Sequence, residues 1–187
     1  MEVTMIPMPK ESHLDDLAAA LDSATHQERL KWLRGLNKKQ QVALFELAEG
    51  TQMELSELHS ADGQVVIQYG KNSLPMFTHF EKRIALHQGV VQGYNHQSLQ
   101  WLVGPGHFRV VPHDVQGELL FDYLWSPETV PEGFPPARSN RGGLSSLVYG
   151  NLQDVVRKVS RHVSIGRALM KGKLTNNYFG LCREDAS

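Results

Sequence analysis

The sequence predicts an α+β protein: short N-terminal helices, then a strongly curved antiparallel sheet or partly closed β-barrel of about seven strands, with one amphipathic covering helix before a C-terminal hairpin. Three observations carry that expectation. Apolar residues recur at helical spacing in residues 13–50 and again in 144–159. Residues 64–125 hold short β-branched and aromatic runs separated by turn residues. The links between those runs are too short for crossover helices, which makes the sheet antiparallel, and closing such a sheet removes its unpaired edges. The 187 residues are read as one domain, long enough to bury roughly 70% of the unfolded surface without disulfides or structural metal.

In the first helix Leu14, Leu17, Ala18 and Leu21 share one face, Ser12 is the expected N-cap, and Asp15 and Asp16 sit favourably in the first turn. The second helix starts at a capping box, Thr25 followed three residues later by Glu28, and ends near Gly35. A third spans 38–49, with Gly50 as its left-handed cap. None of these is long enough to be stable alone, so each needs a packing partner.

The sheet begins at Val65–Tyr69. In Phe77–Leu86, Phe80, Ile84 and Leu86 alternate with His79, Glu81 and Arg83, the pattern of a half-buried strand. Val90–His96 follows. Gly104-Pro105-Gly106 reads as a type II turn joining Leu99–Val103 to His107–Val111 in a hairpin, and Glu118–Trp125 is the next strand. Residues 126–143, with four prolines and three glycines, form a long irregular loop, read as an ordered lid. Leu144, Leu147, Val148, Leu152, Val155, Val156 and Val159 then fit a helix through residue 159 that covers a sheet face. Finally, 161–183 is a hairpin around Lys171-Gly172-Lys173 whose last strand is placed to pair with an early one.

Composition narrows the functional classes. With 19 basic and 20 acidic residues the net charge is −1, so no global field attracts nucleic acid or anionic lipid, and neither nucleic acid nor membrane is an expected partner. Charge is uneven along the chain. Residues 1–60 carry −4 and residues 144–187 carry +4, which favours docking of the first third onto the last, or a head-to-tail homodimer. The only cysteine, Cys182, excludes an internal disulfide and paired-thiolate zinc motifs and reads as a small core residue. A reducing compartment follows, and with no secretory leader or apolar span the expected location is cytoplasmic.

None of the nine histidines has metal-site spacing, so no metal and no cofactor is expected. There is no GxSxG elbow and no phosphate-binding glycine loop. Chemistry is sought instead among polar groups on the strands. Asp122, His162 and Glu81 are the candidate proton-transfer groups, and Tyr94, Trp101, His107, Tyr123, Asn140 and Arg167 the candidate ligand contacts. The competing reading leaves that face solvated, with Asp122 paired to an arginine. The leading functional reading is a binding protein for a small apolar or aromatic molecule held between curved sheet and helix. A cofactor-free isomerase, cyclase or dehydratase in the same cavity is the alternative. A third reading is an interaction module whose N-terminal helices present Trp32 or Phe45 to another protein.

Overall fold

The computed structural model describes residues 6–10, 13–75, 78–96, 104–140, 142 and 145–185. Helices α1 (Leu14–Ser23), α2 (His26–Gly35) and α3 (Lys38–Leu47) come first, followed by a single 3-10 turn at Leu55–Glu57. The strands are β1 (Val66–Asn72), β2 (His79–His87), β3 (Val90–His96), β4 (Phe108–Pro112), β5 (Leu119–Asp122), β6 (Leu152–Lys158), β7 (Val163–Met170) and β8 (Lys173–Arg183), with a one-turn helix α4 (Ser145–Tyr149) before β6. Each strand pairs antiparallel with the next, and β8 returns to β1 with Tyr69 opposite Cys182, so the sheet is a closed eight-stranded barrel. The α+β class and the closing hairpin are as expected, with eight strands where about seven were read.

The helix caps follow the sequence closely. Thr25 and Glu28 form the reciprocal capping box, and Asn37 and Gln40 form a second at the start of α3. Gly50 adopts φ +81 beyond α3. His13 occupies the N-cap position of α1 with no side-chain cap, and Ser12 lies outside the described residues.

One element differs in kind. Residues 144–159 are not a covering helix. Only Ser145–Tyr149 is helical, Gly150 and Asn151 break the run, and Leu152–Lys158 is the strand β6. The reason is burial on both faces. Val155 faces the helices outside the barrel while Val156 faces the interior, so apolar residues fall on both sides and the alternation of a half-buried strand disappears. Leu147, assigned by its spacing to a buried stripe, is 79% exposed. The covering layer is supplied by α1–α3.

Those helices pack on the outer faces of β6, β7 and β8, joining Leu17, Leu21, Leu33, Leu44 and Phe45 to Val155, Val159, Ile165, Tyr178 and Cys182. Trp32 and Phe45 are 7% and 5% exposed within this layer, so neither is presented to a partner. Docking of the acidic first third onto the basic last third is also seen: Lys158 pairs with Glu57, and Arg161 donates its backbone N–H to Asp22. A second core fills the barrel with Ile84, Phe108, Phe121, Val156, Phe179 and Leu181. Three interior phenyls, Phe80, Phe108 and Phe179, lie over the glycines directly opposite them, Gly70, Gly93 and Gly166, each within 3 Å of where a Cβ would stand. No side chain larger than hydrogen fits there, and the rings turn inward as a result.

The expected hairpin partner Leu99–Val103 lies outside the described residues, and β4 pairs with β3 through Gln92–Arg109 and Gly93–Phe108. Gly106 does take positive φ, at +57, but residues 104–107 form no turn: the Asn95 N–H donates to the Pro105 carbonyl at 2.8 Å, so the segment runs alongside β3 in place of the expected type II turn. The proline-rich segment is strapped along the outer wall. Thr129 bonds Gln88, Phe134 packs on Tyr94 with centroids 4.8 Å apart, and Asn140 Nδ2 donates to the carbonyls of His107 and Tyr123. None of its described residues lines the barrel cavity, so they do not form a lid over it.

Candidate functional site

The interior holds one concentrated set of ionisable groups. Lys82 on β2 and Asn95 on β3 stand directly opposite each other, Tyr123 follows β5, and Asp154 lies on β6. All four point inward and are at most 6% exposed. Lys82 Nζ donates to Asn95 Oδ1 at 3.0 Å, to Asp154 Oδ2 at 3.4 Å and to the Tyr123 hydroxyl. Tyr123 Oη also accepts from Asn95 Nδ2 at 3.1 Å and donates to Asp154 Oδ2 at 3.3 Å. The ammonium nitrogen sits 4.9 to 5.5 Å from the ring centres of Phe80, Phe108, Phe121, Tyr123 and Phe179. It is therefore held in an aromatic cage.

A cavity of about 270 Å³ opens beside this cluster at one end of the barrel. Lys82, Asn95, Tyr123 and Asp154 form its buried polar wall, Asn72 and Asn177 add polar groups elsewhere in the lining, and Phe80, Tyr149, Leu152, Ala168, Met170 and Phe179 form the apolar wall. Val148 on α4 and Leu74 after β1 stand at its edge and are both exposed.

Burial governs the titration of the cluster. It pushes the Lys82 ammonium below the ordinary lysine value, opposed by the Asp154 charge, and raises the Asp154 carboxyl, opposed by Lys82. Both shifts favour the neutral amine and the neutral acid. Burial and the Asp154 charge together hold the Tyr123 phenol well above its usual value.

Of the described residues singled out from sequence, only Tyr123 lines this cavity. Asp122, its neighbour, faces outward: it pairs with Arg109 at 3.0 Å and accepts from Gln153 at 3.1 Å, the arginine-paired arrangement. Glu81 pairs with Arg83 on the outer face of β2. Tyr94 is buried under Phe134, also outside the barrel. His107 is buried against the loop and bonds the Pro136 carbonyl at 3.2 Å, and burial lowers its affinity for a proton. Asn140 anchors the same loop. Arg167 lies over the Tyr178 ring and donates to the Thr175 carbonyl at 2.6 Å. His162 sits at the opposite end, its Nδ1 3.4 Å from Asp185 without the alignment of a hydrogen bond; burial and then the Arg29 charge lower its affinity for a proton. Trp101 lies outside the described residues.

Sequence reasoning missed Lys82, Asn95 and Asp154. For Lys82 the signal was present, because position 82 falls on the same face as Phe80, Ile84 and Leu86, and a lysine on an apolar strand face demands a buried partner. Asp154 was hidden by the reading of β6 as helix.

Among the described residues no three His, Cys, Asp or Glu side chains are grouped to share a metal ion, and no helix is long and apolar enough to cross a membrane. Fold and site together define a closed antiparallel barrel with a caged lysine and a carboxyl beside an internal cavity. Scanned against protein-family models, curated proteins and solved structures, the chain matches none.

Proposed function

We propose that this protein binds a small, largely apolar or aromatic molecule in the barrel cavity, with one polar atom of the ligand directed at Lys82, Tyr123, Asn95 and Asp154. The observation that carries this reading is the cluster itself. Four buried polar groups converge on a chamber whose lining is mainly apolar, the combination that gives a binding site both affinity and orientation. A cavity of 150 Å³ holds benzene, so 270 Å³ suits a ligand of about ten heavy atoms. A reducing compartment, the cytoplasm, fits a chain whose sole cysteine is a buried thiol.

Isothermal titration calorimetry with phenylpropanol tests the reading. One-to-one binding with a negative heat-capacity change is expected, and Val148→Trp, which fills the cavity edge, should abolish it. Equal heats from both proteins would place the binding elsewhere.

A proton-transfer enzyme in the same cavity is the second reading. It is favoured by one observation: an acid raised by burial and an amine lowered by burial face the same space.

A further inference from the structure

We propose that Lys82 is a carbonyl-capturing amine, forming a reversible protonated imine with an apolar aldehyde or ketone that enters the barrel cavity. The inference rests on the cavity being the binding site and names the ligand's chemical class. Three features of the geometry point to it.

First, Lys82 is a primary amine at the wall of an apolar chamber large enough for a ring and a short chain. Desolvation favours its unprotonated, nucleophilic form, as burial generally does for lysine. Second, an acid is in place to complete the exchange. Asp154 lies 3.4 Å from Nζ, and Tyr123 links the two. Third, the five surrounding rings and the Asp154 carboxylate suit the cation that the reaction creates.

The step balances without an added oxidant or reductant. The Nζ lone pair attacks the carbonyl carbon, a C–N bond forms, and the C–O π bond opens to a carbinolamine as the oxygen takes up the proton lost by nitrogen. Asp154 then gives its carboxyl proton to that hydroxyl. Water leaves, the nitrogen lone pair closes the C=N bond, and the products are an iminium, an Asp154 carboxylate and one water. Asn95, which accepts from Nζ at 3.0 Å, orients the amine, and its carbonyl oxygen accepts the remaining iminium N–H.

This use of the cluster differs from recognition of an anionic ligand. A carboxylate or phosphate brought to Lys82 would set a second anionic group beside Asp154, whereas an uncharged carbonyl sets none.

The test is reductive trapping. The intact protein is incubated near neutral pH with limiting phenylpropanal and cyanoborohydride, and modified lysines are mapped by peptide mass spectrometry. Burial lowers the proton affinity of Lys82 and the cavity holds the aldehyde beside it, so Lys82 should label faster than exposed Lys171 and Lys173. Val148→Trp should suppress labelling at Lys82 and leave Lys171 and Lys173 unchanged. Asp154→Asn should slow the Lys82 reaction while the rates at Lys171 and Lys173 in the same protein, which serve as internal controls, stay unchanged. Labelling confined to exposed lysines, with phenylpropanol bound in the cavity, would overturn the imine and leave the binding reading intact. The same labelling pattern with no phenylpropanol binding would overturn both.

Discussion

Lys82 is tolerated inside the barrel because Asp154, Tyr123 and Asn95 surround its Nζ with hydrogen-bond partners, and the energetic consequence is asymmetric. Replacing both charged partners by apolar residues of similar volume is often neutral, whereas removing one strands the other. Asp154→Leu should therefore destabilise by about 3 to 5 kcal/mol, and Lys82→Met added to it should restore most of that loss in urea denaturation. A double variant as unstable as Asp154→Leu would show that the pair is not the source. Cys182 gives a second residue-scale expectation. Burial pushes its thiol from 9.0 to about 11, so between those values the unfolded chain releases a proton that the folded chain keeps. Stability then falls as pH rises through that window, by about 2 to 3 kcal/mol, and Cys182→Ala should lack that slope. At this scale the sequence was readable where one residue type stood out against its neighbours. The Thr25–Glu28 cap was found that way, and Lys82 among Phe80, Ile84 and Leu86 was open to the same argument.

Elements were legible where one side is wet. Helices α1–α3 and strand β2 carry a clear period because one face meets solvent, and their placement follows the sequence closely. Strand β6 has no wet face, being buried by helices on one side and by the barrel interior on the other, so its period could not separate strand from helix. Asp154 was lost with it. At Gly104–Gly106 the positive φ of Gly106 was read correctly, but the type II turn was not, and the setting was not visible: a Cβ on Gly106 would stand 2.5 Å from the Tyr149 ring. Gly106→Val should cost on the order of 1 to 3 kcal/mol from backbone strain alone, with the displaced ring adding to it. An unchanged melting temperature would contradict the geometry. For the loop that follows Tyr123, the hydrogen bonds of Asn140 set the expectation. Binding of phenylpropanol should protect backbone amides in 145–156, beside the cavity, and leave 126–140 unprotected in hydrogen exchange.

The whole molecule has two cores that share the barrel wall, one inside it and one between it and the helices. Alternate residues of β6–β8 serve each, which is why the wall cannot be judged from either layer alone. Deleting residues 13–50 would bare Val155, Val159, Val163, Ile165, Tyr178 and Cys182 along one side. A patch of that kind on exposed strands drives association, so the truncated barrel should aggregate in size-exclusion chromatography. A folded monomer would show that the helices are separable. The α+β class and β8–β1 closure were legible because they depend on element order and connection length, which sequence carries directly. The cavity depends on the register that brings β2, β3, β6 and the end of β5 together, which it does not carry.

The most direct test of a ligand seated against the Lys82 cluster is an isotope-filtered NMR experiment on the methyl-labelled protein with phenylpropanol. Intermolecular contacts should run from the phenyl ring to the methyls of Leu152, Ala168 and Met170, while Leu58, toward the other end of the barrel, shows none. Contacts confined to Leu58 or to the helix layer at Leu17 and Leu44 would contradict the assignment of the cavity as the site.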